Sequence, residues 1–226
     1  MPLLGKAAML LSFDIVQDEI VEHDDWHTHE HFPERLSIPG FLRGSRWTSQ
    51  KDGPRYFVMY EVEGLDVLAS PPYLECLNGP TPWTTKMMAH YRGMTRGLCK
   101  VTGSFGAGLG QAVLFIRFKA GAGKEASLRN WLLTQALPGL PSRPGLAGAH
   151  LFEAGLTAAI TNEQRIRGKD AAVDCAVLVT GYDAAVLETL GLAGLRPQEF
   201  EQRGATGVSA GVYRIAYSLA KADLSA

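Results

Sequence analysis

The segment "HTHEH" (residues 27–31) sits inside "VEHDDWHTHEHFPERLSIPGF" and gathers His23, His27, His29 and His31, four of the six histidines in the chain. Read as a helix, His23, His27 and His31 recur every four residues and share one face, with Glu30 beside them. Imidazole titrates near neutrality, and a carboxylate three residues away can fix its tautomer and raise its pKa. His27 or His31 paired with Glu30 therefore suits proton abstraction and return on a small carbonyl compound. Arg46 or Arg43, on the following strand, would stabilise an enolate or a carboxylate. The two arginines have opposite strand parity, so only one faces the helix. Tyr56, Tyr60, Tyr73 and Trp83 are the aromatics placed to wall an apolar, substrate-binding pocket, although each also suits plain core. His90, in "AHYRGMTR", is a second-rank catalytic candidate. His29 lies off the stripe and reads as solvated, and His150 reads as structural.

Other chemistries fit less well. "HTHEH" formally matches H-x-x-E-H, the inverted zinc-protease motif, but no third ligand stands at a diagnostic spacing. Three histidines along two helical turns span roughly 12 Å at 1.5 Å per residue, so all three cannot ligate one ion. Two could, with help from elsewhere. No metal site is assigned. "GAGKEA" (residues 121–126) lacks the first glycine of a phosphate loop, and Glu125 stands where Ser or Thr would bind Mg²⁺, so it reads as a strand-to-helix turn. Glu22, Asp24 and Asp25 read as favourable charges near a helix start, and Glu34–Arg35 as an ion pair that ties down the turn after it.

The elements that must position these residues emerge from an internal repeat. At an offset of 105 residues Phe13 meets Phe118, Trp26 meets Trp131, Pro33 meets Pro138, Ser37 meets Ser142, and Pro39-Gly40 meets Pro144-Gly145. Six identities over the 28 positions 13–40 exceed the roughly two that average residue usage would give. Each half reads strand, helix ended by Pro, Pro-Gly turn, two strands, helix, strand. In the first half a "KDGP" turn joins two of these strands. The second half carries a longer polar excursion over residues 156–174. The expectation is α+β: two tandem ferredoxin-like βαββαβ units, at residues 1–103 and 111–226, with a Gly-rich linker at 104–110 from "GSFGAGLG".

The repeat is also a control on the histidines. At the same offset His23, His27, Glu30 and His31 fall opposite Leu128, Leu132, Gln135 and Ala136. The second-half stripe is mostly apolar and is expected to pack on its sheet. The first-half polar groups should therefore point at the sheet as well, where burial without partners costs a few kcal/mol each. They must either satisfy one another or line a wet cavity.

The Trp26 helix followed by "HEHFPERLSIPGFLRGSRW" resembles the dimeric α/β-barrel superfamily, in particular its EthD-like branch, where H-x-P and a later P-G follow the first helix. The second half shares the resemblance more weakly, through "W…P…RPGLAGAHLF". The resemblance implies that the two units pair sheet to sheet into an α/β barrel within one chain. It implies chemistry less firmly, because members include cofactor-free isomerases, monooxygenases and cyclases as well as haem enzymes.

Composition narrows the remaining classes. With 226 residues and 46% hydrophobic content the chain can bury a sizeable core. A net charge of −1 argues against a generic nucleic-acid binder. No apolar run approaches the ~20 residues that span a bilayer, and the N-terminal apolar stretch, interrupted by Asp14, reads as a strand and not a signal peptide. Three widely spaced cysteines fit free thiols in a reducing cytoplasm. The expectation is a cytoplasmic, cofactor-independent isomerase, lyase or cyclase that acts on an apolar or aromatic carbonyl substrate, with a possible homodimer. The alternatives are a metal- or haem-dependent relative and a non-catalytic small-molecule binding module.

Overall fold

A computed structural model describes residues 3–49, 51, 53–157 and 159–225. The first half runs β1 (Ala7–Ile15), α1 (Ile20–Trp26), a π-helical turn (His27–His31), α2 (Phe32–Ser37), β2 (Phe41–Thr48), β3 (Tyr56–Val62), α3 (Pro71–Asn78), α4 (Pro82–Met88) and β4 (Tyr91–Gly106). The second runs β5 (Ala112–Ala120), α5 (Glu125–Trp131), a second π-helical turn (Leu132–Ala136), β6 (Leu146–Leu156), α6 (Asn162–Arg167), β7 (Ala171–Ala172), β8 (Cys175–Gly181), α7 (Ala184–Ala193), α8 (Pro197–Glu201) and β9 (Ala205–Ala220). Both halves are thus βαββαβ, and the second carries α6 and β7 as an insertion. "GAGKEA" is the turn from β5 into α5. Of the "KDGP" turn between β2 and β3, Asp52 lies outside the described residues, as does Gln50.

The strands pair in the order β1-β3-β2-β9-β5-β8-β6-β4, and β4 returns to β1, which closes an eight-stranded antiparallel barrel. Two seams join the halves: β2 with β9 and β4 with β6. The chain therefore supplies both sheets of an α/β barrel. The linker is shorter than its glycines suggested. β4 continues through Gly103–Gly106, paired with Gly148–Leu151 of β6, so only residues 107–111 connect the halves. A run of glycine at a strand end is compatible with pairing when the partner strand is in place.

β1 and β3 are covered on both faces, so they are almost wholly buried although their side chains alternate. Met9, Phe13, Tyr56, Val58 and Tyr60 meet the first-half helices. Ala8, Leu10, Phe57 and Met59 fill the barrel with Phe115, Phe152 and Leu178 from the second half. A third core lies between the second-half sheet and its helices. The turns after the two first helices use the same device: Gly40 has φ 86° and Gly145 φ 87°. A side chain there would collide with Val67 or Val186 respectively, so glycine is needed for conformation and for space. Among the described residues no helix is long and apolar enough to cross a membrane.

Candidate active site

The stripe points inward, as the repeat implied. His23, His27 and His31 are buried, and their rings follow one another at 5.2 and 5.3 Å between centroids. The neighbouring Trp26 is fully buried and lies 4.5 Å from the His31 ring. The π-helical turn that carries His27–His31 recurs in the second half at Leu132–Ala136. The wider turn therefore belongs to the repeated scaffold and not to the histidines.

His27 is held from both sides. Arg46 Nη1 lies 3.3 Å from its Nδ1, and Tyr60 Oη lies 3.2 Å from its Nε2. A guanidinium only donates, so Nδ1 carries the lone pair, and the neutral ring donates from Nε2 to Tyr60. Burial keeps the His27 pKa well below its usual value, reinforced by the neighbouring rings of His23 and His31, which could not share a second proton cheaply, and by the Arg46 charge. Tyr60 accepts from His27 and keeps its own O–H to donate. Burial pushes its pKa up, so it is a neutral hydroxyl at ordinary pH. Arg46 also donates to the Asp24 carbonyl (3.2 Å) and to Thr28 Oγ1 (3.1 Å), which fixes it behind His27.

His31 differs. It has no hydrogen-bond partner among the described residues, and its buried Nδ1 lies 3.7 Å from Glu34 Oε2. Burial, then the charge of Arg35, hold its pKa well below the usual value. It is a neutral, unengaged imidazole. His23 is bracketed by Asp24 Oδ1 and Tyr91 Oη, each at 3.3 Å. Its pKa is lowered by burial against the opposing pull of Asp24.

His27, His31, Tyr60 and Tyr73 line one cavity of about 30 Å³, with Met9 and Met88 among its apolar residues. Other expected members lie elsewhere. Glu30 turns to α4, where its Oε1 accepts from Thr81 Oγ1 (2.6 Å), Thr84 Oγ1 (3.2 Å) and Trp26 Nε1 (3.1 Å). It is a brace between helices and not a partner of either imidazole, because three hydroxyl and indole donors outcompete a ring on its own helix. Arg46 faces the helix as parity required; Arg43 faces the other way and ion-pairs with buried Glu61 at 2.6 Å. Tyr56 sits one layer behind the cavity and donates to Asp24 Oδ1 (2.9 Å), and burial pushes its pKa up to about 12. Trp83 is half-buried and donates to Glu22 Oε1 (3.2 Å), away from the cavity. His90 is half-buried in the turn after α4, where its backbone carbonyl accepts from Val16 N–H and its N–H donates to the Met87 carbonyl.

The cavity also holds residues that the motif did not reveal. Arg35 is 1% exposed and pairs with Glu34 at 3.0 Å, as "PERL" suggested, but its other arm reaches Glu163 on α6. Arg167, from the same helix, lines the cavity and pairs with Asp170 at 2.6 Å. Arg96 on β4 lines it too and donates to Tyr73 Oη (3.0 Å). Signals for these existed. Arg96 interrupts the apolar alternation Met94–Leu98, and the excursion at 156–174 has no counterpart of equal length in the first half.

Larger hollows lie elsewhere. One of about 250 Å³ lies against Leu128 and Leu132, the counterparts of His23 and His27. A groove of about 400 Å³ lies beside the β2–β3 connection and α7. We place the site in the smallest of these because it gathers the buried histidines His27 and His31, the latter with its Nδ1 unpartnered. The cavity as it stands, about 30 Å³, is too small for a haem macrocycle, and both His27 nitrogens are taken, which leaves His31 as the one histidine of the pair free to ligate. Among the described residues no group of three His, Cys, Asp or Glu side chains could hold a metal ion.

No family model matches the sequence, and no curated protein does. Solved structures do resemble the fold. An anthrone oxidase-like protein aligns with TM-score 0.63 at 9% identity, over 98% of this chain and 96% of that one. A Fusobacterium nucleatum protein described as a "putative monooxygenase" gives 0.62 at 7% identity, over 97% and 96%. Chlorite dismutase from Candidatus Nitrospira defluvii gives 0.56 at 13% identity, over 96% and 92%. The chain has the ferredoxin-like dimeric α/β-barrel fold, with both units in one polypeptide.

Proposed function

We propose that the protein is a small-molecule enzyme that moves a proton on an apolar or aromatic carbonyl compound, with His31 as the base and Tyr60 as the electrophile. The observation that carries this reading is the division of labour between two adjacent imidazoles. His27 is locked into one tautomer by Arg46 and Tyr60; His31, beside it, is buried, neutral and unengaged. A substrate carbonyl that accepts from Tyr60 O–H would have its neighbouring C–H acidified. His31 takes that proton and returns it at the same or another atom, while Tyr60, backed by the His27 N–H and the Arg46 charge, stabilises the enolate oxygen. The reaction classes this serves are isomerase, lyase and cyclase, and no step calls for a cofactor. The apolar walls favour a substrate with an aromatic or alicyclic body.

A second reading shares the first step. Two of the structurally similar proteins bear the names of oxidising enzymes, and an enolate held at Tyr60 is electron-rich enough to be attacked by O₂. The EthD-like branch, suggested by the H-x-P and P-G pattern after the first helix, is the part of the superfamily we assign. Three free cysteines fit the cytoplasm. A homodimer would add to the site without completing it, because one chain closes the barrel.

The test is hydrogen–deuterium exchange of a panel of aryl ketones in D₂O, followed by proton NMR with and without dissolved oxygen. The expected result is enzyme-dependent exchange at the carbon beside the carbonyl, reduced roughly 10²–10⁴-fold in His31→Ala. Oxygen uptake coupled to exchange selects the second reading. Exchange that survives His31→Ala removes His31 from the mechanism.

A further inference from the structure

Three arginines and three carboxylates meet at the wall of the cavity. Arg35 pairs with Glu34 and Glu163, and Arg167 with Asp170. Arg96 is the least satisfied of the three. Its side chain is 4% exposed, and its Nε and Nη1 have no hydrogen-bond partner among the described residues. The nearest carboxylate oxygen recorded for Nη1, Asp170 Oδ2, is 3.9 Å away, beyond hydrogen-bond range. A guanidinium that is buried with two idle donors is expensive unless something fills them. Two of the three carboxylates near the arginines, Glu163 and Asp170, come from the second-half insertion, which lies along β4 through the β7 pairing of Ala171 with Thr95.

We infer that the substrate carries a carboxylate, which seats on Arg96 and takes over from Glu163 and Asp170 as counter-ion within the cavity. The inference rests on the reading of this cavity as the site and adds the substrate class: a keto acid or aryl carboxylate, not a neutral ketone. Nε–H and Nη1–H leave the guanidinium on opposite edges, so a ligand carboxylate seats on one idle donor at a time through a charge-assisted hydrogen bond. The Tyr73 hydroxyl, which accepts from Arg96 and donates to Met9 Sδ (3.1 Å), holds the third nitrogen in place. With only about 30 Å³ of free space, an aromatic acid enters as the α6 side chains withdraw. The carboxylates of the insertion thus stand where the ligand's would.

The experiment is calorimetric titration of the full chain with benzoate and with its neutral isostere benzamide. Benzoate is expected to bind at least ~10-fold more tightly, the size of one charge-assisted contact. In Arg96→Met that preference is expected to vanish while benzamide binding is unchanged. Glu163→Gln removes a competing charge and is expected to tighten benzoate alone. Equal affinity for the two compounds, failure of benzoate to bind, or a preference that survives in Arg96→Met overturns the inference. Where Arg96→Met does not fold, the Glu163→Gln arm decides: tighter benzoate supports the inference, and no change or weaker benzoate overturns it. Exchange on neutral ketones without benzoate binding would sink this inference and leave the proton-transfer reading standing. Selective benzoate binding with no exchange on any ketone, acidic or neutral, would do the reverse.

Discussion

The first helices of the two halves share a backbone and differ in what they bury. Both lead from a nine-residue strand into an α-helical segment, pass through a five-residue π-turn and end before a glycine of positive φ. At equivalent positions one buries His23, His27 and His31, and the other Leu128, Leu132 and half-buried Ala136. The scaffold is therefore indifferent to what fills the stripe, and the second half does with leucine what stability alone requires. The first half spends the same positions on polar groups and surrounds them with matched partners: Arg46, Tyr60 and Tyr91. Only His31 lacks one. That difference is what the proposed chemistry rests on.

The largest expected effect is on acid stability. His23, His27 and His31, and His150 at about 4, have pKa values in the folded state below the unfolded value near 6.5. The unfolded chain therefore binds more protons as pH falls, and stability that is present above pH 6.5 is lost below it. A histidine that stays neutral in the fold while its unfolded counterpart is protonated contributes about 1.4 kcal/mol per pH unit, so several kept neutral together make the loss steep below pH 6. Urea midpoints measured between pH 7 and 5 check this, and a flat profile would break the contrast between the halves. Placing a histidine on the second-half stripe should rank next. Leu132→His has no Arg46 or Tyr60 counterpart recorded beside it, and a loss of roughly 2–4 kcal/mol is expected in urea.

The reverse exchange separates the two imidazoles. His27→Leu strands Arg46 and Tyr60 and should lose about 2 kcal/mol. His31→Ala removes a ring with no partner, so relief of its buried nitrogen offsets the hollow it leaves and the net change should stay within ~1 kcal/mol. Equal losses for the two would mean that His31 is as much a structural member as His27. The smallest effect is expected for Glu30→Gln. An amide oxygen still accepts from Thr81, Thr84 and Trp26, so exchange activity should stay within about threefold. A fall comparable to that of His31→Ala would restore Glu30 to the reaction.

Much of this was legible before any coordinates. The offset of 105 residues carried the duplication, the first strand of each half and the Pro-Gly turns. It also showed that the histidine stripe must face the sheet, because the leucines opposite could face nothing else. Strand parity separated Arg46 from Arg43. What stayed hidden was long-range. Nothing local says that Glu30 prefers two threonines some fifty residues away, or that Glu163 and Arg167 cross a seam to close a cavity in the other half. Those contacts follow from which strands lie beside which, and periodicity is silent on that. Trp83 and His90 misled because their residue types suit a pocket while their places on and after α4 turn them outward.

The crossing of α6 to the opposite half has a numerical consequence. A barrel assembled from two identical chains would offer two equivalent histidine cavities, each with its own capping arm. Here the arm with Glu163 and Arg167 is present once, and so is the cavity it covers. One barrel should therefore saturate with one equivalent of ligand, and its binding isotherm should be hyperbolic, with no second occupancy to cooperate with the first.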